Sequence, residues 1–352
     1  MLDIVGRRYL YYLISAVVVV PGLISLILFG LNFSIDFTGG SILELQFEQA
    51  VVVQPAQLKE LFGQYGFGDT MVQSSPGNIF LIRSKTLDAG TKGKIQQDLE
   101  ERFGSFTELR FESVGPAVGG EVQRRAYIVV GMAAVAILIY ISFAFRHVMR
   151  PVRYGTCAII AMVHDIFVVV GLASILGWVR GFEVDALFLT ALLTVIGFSV
   201  HDSIVVFDRI RENSRRYAGQ PVEDIVNHSI IQTLDRSINT QLTVVFTLTA
   251  LLLFGGITIR SFVLTLLIGI ISGTYSSIFN ASPLLVEWER RPDLLLYALS
   301  ALIPPAGLII GLLLLFRGSD TSRPWARGCL LAALAGAVVI TGLLLLRGVI
   351  HS

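Results

Sequence analysis

Five ionisable residues in or at the mouths of apolar runs have the types and spacing to do chemistry. His201 and Asp202 fall within the run 185–207, His164 and Asp165 within 154–176, and Arg236 at the mouth of 238–256. An ionisable group at membrane depth costs roughly 2.5–3.5 kcal/mol on an insertion scale, so such groups persist where they face protein, water or one another. Burial opposes the charged form of a carboxylate, and a neighbouring guanidinium favours it. A group balanced between the two can load and release a proton as helices move. Asp202, Asp165 and Arg236 on neighbouring spans therefore point to a charge pathway through a helical bundle, with His201 placed to assist.

Other chemistry is poorly supported. The doublets His164-Asp165 and His201-Asp202 resemble the metal dyad of phosphohydrolases, which needs further ligands in an aqueous cavity. His147, His228 and His351 lie in loops or at the tail, so no metal site is expected. Cys157 and Cys329 both sit in apolar runs, which argues against a disulfide framework and assigns them to lipid-facing or packing positions.

The elements that must position these groups are membrane spans. Hydrophobic residues make up 54% of the 352 and charged residues 15%, against about a quarter in soluble proteins. The net charge of +1 and the lack of a long basic run give no sign of nucleic-acid binding. Runs of some twenty apolar residues occur at about 9–31, 126–145, 154–176, 185–207, 238–256, 261–286, 294–316 and 328–346. The first is too long for a signal-peptide core and lacks a small-residue cleavage site, so it reads as an uncleaved span.

Several spans carry stripes at helical spacing: Thr190, Thr194, Gly197 and His201; Arg236, Thr240, Thr243 and Thr247; Gly269, Gly273, Ser276 and Asn280. Small and hydroxyl residues permit close helix packing, which is sufficient reason for most of them. Arginines cluster before span 1 and between spans 2–3, 4–5 and 6–7, which places the N-terminus in the cytoplasm. Arg317, Arg323 and Arg327 disagree with that alternation, and the first six spans are expected to dominate. The segment 222–233 spaces Val222, Ile225, Val226 and Ile230 as an amphipathic surface helix, nearly continuous with span 5.

One sizeable segment, 32–124, is water-soluble. Alternation over 41–47 predicts a strand, 55–65 a helix opened by Pro55, and 70–73 and 79–83 two strands around the turn Ser75-Pro76-Gly77-Asn78. A helix over 91–103 and a strand over 108–114 complete the order βαββαβ, the ferredoxin-like α+β arrangement. Four regions follow: 1–31 with the first span, 32–124 as the soluble domain, 125–290 with spans 2–6, and 291–352 as a C-terminal hairpin. Gly39-Gly40 and Gly115-Pro116 sit where the domain joins its two stalks, as turns or as joints that transmit movement.

Three separated motifs now carry a resemblance: Asp36-Phe37-Thr38-Gly39-Gly40, Val114-Gly115-Pro116, and the run from Val200-His201-Asp202 through Asp208-Arg209 to Asn213. With Gln232-Thr233-Leu234-Asp235-Arg236-Ser237, they resemble the SecF family, the smaller subunit of the bacterial SecD–SecF export complex, over about residues 1–290. The resemblance implies a polytopic α-helical membrane protein of the inner membrane with a six-span core of resistance-nodulation-division type. Its soluble domain is expected to be periplasmic. It implies a non-enzymatic motor that uses the proton gradient, with no cofactor, to draw exported polypeptide from SecYEG, with SecD as partner and YajC as a further one. In such a motor the residues matched by Asp202 and Arg236 interact near the membrane centre. The two spans beyond about Pro292 lie outside the family core.

Two other classes fit less well. A proton-coupled exporter of small molecules usually has a longer chain with two large external domains. An intramembrane aspartyl protease would carry Gly-x-Gly-Asp, whereas the run here is Gly197-Phe198-Ser199-Val200-His201-Asp202.

Overall fold

The structure is a computed structural model. It describes residues 2–48, 53–144, 146, 151–256, 259–290 and 322–350, with isolated positions 297, 300, 308, 309 and 312. Contacts divide the chain into two units. One comprises Met1–Asn32, Ala133–Phe182 and Thr190–Ser352; the other comprises Phe33–Met132 and Glu183–Leu189.

The smaller unit opens with the turn α2 (Ile35–Thr38). Then come β1 (Gly40–Phe47), α3 (Pro55–Gln64), β2 (Met71–Ser75), β3 (Ile79–Ser84), α4 (Ala89–Phe103) and β4 (Phe106–Val114). The sheet is antiparallel in the order β2-β3-β1-β4. Alternation along β1 turns Leu43, Leu45 and Phe47 to one face, where Leu58, Leu61 and Phe62 of α3 and Ile95 and Leu99 of α4 cover them. Each such side chain contributes about 1.5–3 kcal/mol on burial. Gly77 (φ 88°) and Asn78 (φ 58°) turn the chain from β2 to β3 in the left-handed conformation these residue types tolerate. α4 begins two residues before the expected start, because the Asp88 side chain accepts from Thr91 N at its N-terminus.

The larger unit contains α1 (Arg8–Phe29), α6 (Pro151–Arg180), most of α7 (Ala186–Arg216), α8 (Val222–Phe254), α9 (Arg260–Tyr275), a π-turn (Ser276–Ala281), α10 (Ser282–Arg290) and α11 (Ser322–Ile350). Helix α5 (Pro116–Ala144) runs from one unit into the other. Seven stretches among the described residues are long and apolar enough to cross a membrane. The span expected at 294–316 falls almost wholly outside the described residues. α5 starts ten residues before the expected 126, since Pro116 suits a first helical position and Glu121, Gln123, Arg124 and Arg125 hide that turn from a hydropathy reading. The expected surface helix and span 5 are one helix, α8, with Ile225, Val226 and Ile230 buried.

α1 crosses α6 where two glycines meet. A Cβ built on Gly171 would lie 2.7 Å from the Gly22 Cα, and one on Gly22 would lie 2.9 Å from the Gly171 Cα. Ser25 and Ser174 hydrogen-bond at 2.9 Å nearby. At the other end of the bundle α10 spreads its charges over three neighbours. Glu287 pairs with Arg8 of α1 at 2.9 Å, Glu289 with Arg153 of α6, and Arg290 with Glu223 of α8.

Candidate proton-path site

Asp165 projects from α6 and Asp202 from α7; their residues are 1% and 4% exposed, low enough that every polar atom needs a partner. α9 and the π-turn lie against both helices. A Cβ on Gly269 would strike Val195, so the missing side chain permits that approach, while one on Gly273 would meet Ser199 in ordinary contact at 3.4 Å.

The Asp165 carboxylate is enclosed. Ser272 Oγ donates to Oδ1, and Ser199 and Ser276 Oγ donate to Oδ2, each at 2.6 Å. His164 Nδ1 lies 3.0 Å from Oδ1. An ionised carboxylate has about four accepting sites, and this one has four neighbours for them. Ser272 and Ser276 share a helical face four residues apart.

Asp202 is held differently. Ser237 Oγ of α8 donates to Oδ1 at 2.9 Å, and Ser277 Oγ of the π-turn donates to Oδ2. The rest of the carboxylate borders a cavity of about 130 Å³, lined also by Phe198, His201, Arg236 and Gln241. Such a space admits water, and Gln241 Oε1 lies buried there with no hydrogen-bond partner among the described residues. The expected direct pair between Asp202 and Arg236 is not formed. Among the described residues no ion pair joins them, because the two hydroxyls already hold the carboxylate and the Arg236 residue is exposed. They share the cavity instead. His201 lies on the same exposed edge of α7.

The expected joint residues come together in the smaller unit. Gly39 has φ 71° and ψ 165°, and Gly40 has φ 130°. A Cβ on Gly39 would lie 2.7 Å from the Pro116 Cα, and one on Gly119 would lie 2.6 Å from Gly39 N. Gly115 has open space around it. Asp36 has a task that the sequence did not reveal: its Oδ2 accepts from Ala186 N at 3.0 Å, at the start of α7. Three further contacts fasten the same stretch. Ser34 N donates to Val184 O at 2.9 Å, Phe33 bridges Val184, and Arg83 pairs with Glu183. Among the described residues, Asp208 and Arg209 pair only along their own helix, with Arg211 and Glu212.

The chain is thus a polytopic membrane protein whose bundle buries the carboxylates of Asp165, enclosed, and Asp202, open to a polar cavity. The family described as protein export membrane protein SecD/SecF, C-terminal, matches residues 94–291, and the SecD/SecF GG motif matches residues 24–51. Protein translocase subunit SecF of Thermobaculum terrenum is 52% identical over 84% of this chain and 97% of its own. That of Anaerolinea thermophila is 53% identical over 82% and 94%. The crystal structure of SecDF, a translocon-associated membrane protein from Thermus thermophilus, matches with a TM-score of 0.71 at 33% identity. That match covers 82% of this chain and 39% of the Thermus chain. The chain belongs to the SecF family of protein translocase subunits.

Proposed function

We propose that this chain is the SecF-type half of a proton-driven motor for protein export, working with a SecD partner beside the SecYEG channel, with YajC as an additional component. In this reading it lies in the bacterial cytoplasmic membrane with its N-terminus in the cytoplasm. It has a six-span core and an extra C-terminal pair, and residues 32–124 form a ferredoxin-like periplasmic domain. The strand order β2-β3-β1-β4 and the element order βαββαβ support that fold assignment. The length of the Thermus SecDF chain that this one leaves unmatched supports a partner of SecD kind. So do the exposed stripes Thr190, Thr194, Gly197 and His201 on α7 and Arg236, Thr240, Thr243 and Thr247 on α8.

One observation carries the motor reading. Asp202 borders a polar cavity shared with Arg236 and His201, and it lies on a helix whose first residue is held by Asp36 of the Gly-Gly segment. A proton reaching Asp202 through the cavity cancels its charge and, with it, the attraction of Arg236 across the cavity. The balance between two bundle arrangements then shifts, as any differential interaction shifts a two-state equilibrium. α7 passes that shift to the stretch 183–186, and Gly39-Gly40 and Gly115-Pro116 serve as joints of the soluble domain. Asp165, enclosed one helix away, is the second acid of the path. The cavity at about 130 Å³ falls short of the roughly 300–1,000 Å³ of small-molecule pockets, which disfavours the exporter reading.

Asp202→Asn imitates the protonated acid permanently. In inverted membrane vesicles containing the partner subunit, this variant should assemble normally and lose the dependence of preprotein export on the proton gradient. Normal assembly with full gradient dependence would remove Asp202 from the path.

A further inference from the structure

The π-turn places two consecutive serines on two different acids: Ser276 on Asp165 of α6 and Ser277 on Asp202 of α7. Each hydroxyl also has a second acceptor in its own helix. Ser276 Oγ lies 3.2 Å from Gly273 O, and Ser277 Oγ lies 3.1 Å from Thr274 O. A hydroxyl has one hydrogen to give and two lone pairs with which to accept. Four acceptors therefore compete for two hydrogens along one short segment.

Building on the proton-path reading, we infer that Ser277 is a positioning residue for Asp202: a hydroxyl rotor that fits both protonation states of the acid without moving a heavy atom. With Asp202 ionised, Ser277 donates its hydrogen to Oδ2. When a proton arrives on Oδ2, the Ser277 hydrogen turns about the Cβ–Oγ bond to Thr274 O. The Ser277 oxygen then accepts from the new carboxyl O–H. No bond of the serine breaks, and the proton remains on Asp202. Ser276 has the corresponding pair of acceptors at Asp165, so the two acids are read by adjacent residues of one turn.

The surroundings explain why a serine suits this position. Ser276 and Ser277 are both fully buried, so neither oxygen can turn to bulk water. Across the cavity, the Arg236 guanidinium offers donors alone, which favour the ionised acid, and Ser237 is its other hydroxyl partner. An alanine at 277 would remove the fixed hydroxyl that donates to Oδ2 when the acid is ionised and accepts from the carboxyl O–H when it is protonated. The π-turn matters because it brings residues 276 and 277 to two acids on two helices. Single-turn π-segments recur at functional sites for this kind of local re-aiming.

The test uses infrared difference spectra of the whole chain with its partner subunit in lipid discs, stepped between acid and neutral buffer, beside the vesicle export assay. Asp202→Asn identifies the Asp202 carboxyl band by its disappearance. Asp165→Asn and His201→Gln identify contributions from the other titratable groups that face the turn. Ser277→Ala should move the Asp202 band to the higher frequency of a carboxyl lacking a hydrogen-bond acceptor and should cut gradient-dependent export at least several-fold. Ser277→Thr, which keeps the hydroxyl, should restore both. An Asp202 band unchanged in Ser277→Ala, or a loss that Ser277→Thr fails to recover although the protein assembles, overturns the rotor. If Asp202→Asn itself keeps gradient dependence, the proton-path reading is what has failed.

Discussion

Gly39 and Gly115 look alike in the sequence, each beside a stalk of the soluble domain, yet the structure separates them sharply. Gly39 occupies φ 71°, ψ 165°, a region open to glycine almost alone, and another residue held there costs about 1–3 kcal/mol. Its Cβ would also lie 2.7 Å from the Pro116 Cα. That is backbone, with no rotamer to yield, and overpacking of this kind adds about 1–3 kcal/mol. Gly39→Ala should therefore destabilise the junction of β1 with the start of α5 by about 2–6 kcal/mol. Gly115→Ala meets nothing within 4 Å and should change stability by less than about 0.5 kcal/mol. Hydrogen exchange read by mass spectrometry on the intact chain in detergent can follow the amides of β1 and β4. Where local opening governs exchange, Gly39→Ala should speed it at least about 30-fold, since 1.4 kcal/mol is tenfold. Gly115→Ala should leave it near wild type. Equal effects of the two substitutions would refute the reasoning.

Two more outcomes follow from geometry already described. Glu287→Gln strands the buried Arg8 guanidinium, whose side chain is 9% exposed, and should cost about 3–5 kcal/mol. Arg8→Met combined with Glu287→Leu should be milder than either single change in thermal unfolding of the detergent-solubilised chain. Burial first, and then Asp36 nearby, raise the Asp185 carboxyl above its ordinary 3.8, so the folded chain binds that proton more tightly than the unfolded one. Its stabilising effect is present at acid pH and is lost as pH rises above 3.8. Asp185→Asn should flatten that part of the unfolding profile and raise the thermal midpoint at neutral pH. A profile as steep as wild type would contradict it.

What the sequence made legible was whatever repeats locally. Apolar runs located the described spans, alternation found β1, and the turn 75–78 fell between two strands as its glycine and asparagine imply. The two acids were visible because a charge inside an apolar run is conspicuous. Their partners were not. Ser276 lay on a stripe of helical period, but Ser277 reaches Asp202 through a π-turn, which a 3.6-residue period cannot anticipate. Ser237 carries no signal beside Arg236, and the resemblance implied an Asp202–Arg236 interaction where Ser237 and Ser277 hold the carboxylate. The stretch 183–189 joins the smaller unit through contacts with residues 33–36 and 83, a long-range pairing with no local signature.

The threonines of α8 bear on how such a subunit survives before it meets a partner. Thr240, Thr243 and Thr247 donate their hydroxyls to carbonyls of their own helix, at 2.8, 2.7 and 2.9 Å. Each hydroxyl thus arrives with its hydrogen already engaged, so the stripe can face acyl chains during insertion without an unmet donor. Beyond Arg236 the helix carries no charged residue up to Phe254. Arg236 has a long side chain near one end of the span and can reach for headgroups while the chain is alone. On the proposed reading that this face meets a SecD-type partner, a newly made copy waits in the bilayer with that interface disguised as an ordinary lipid-facing surface.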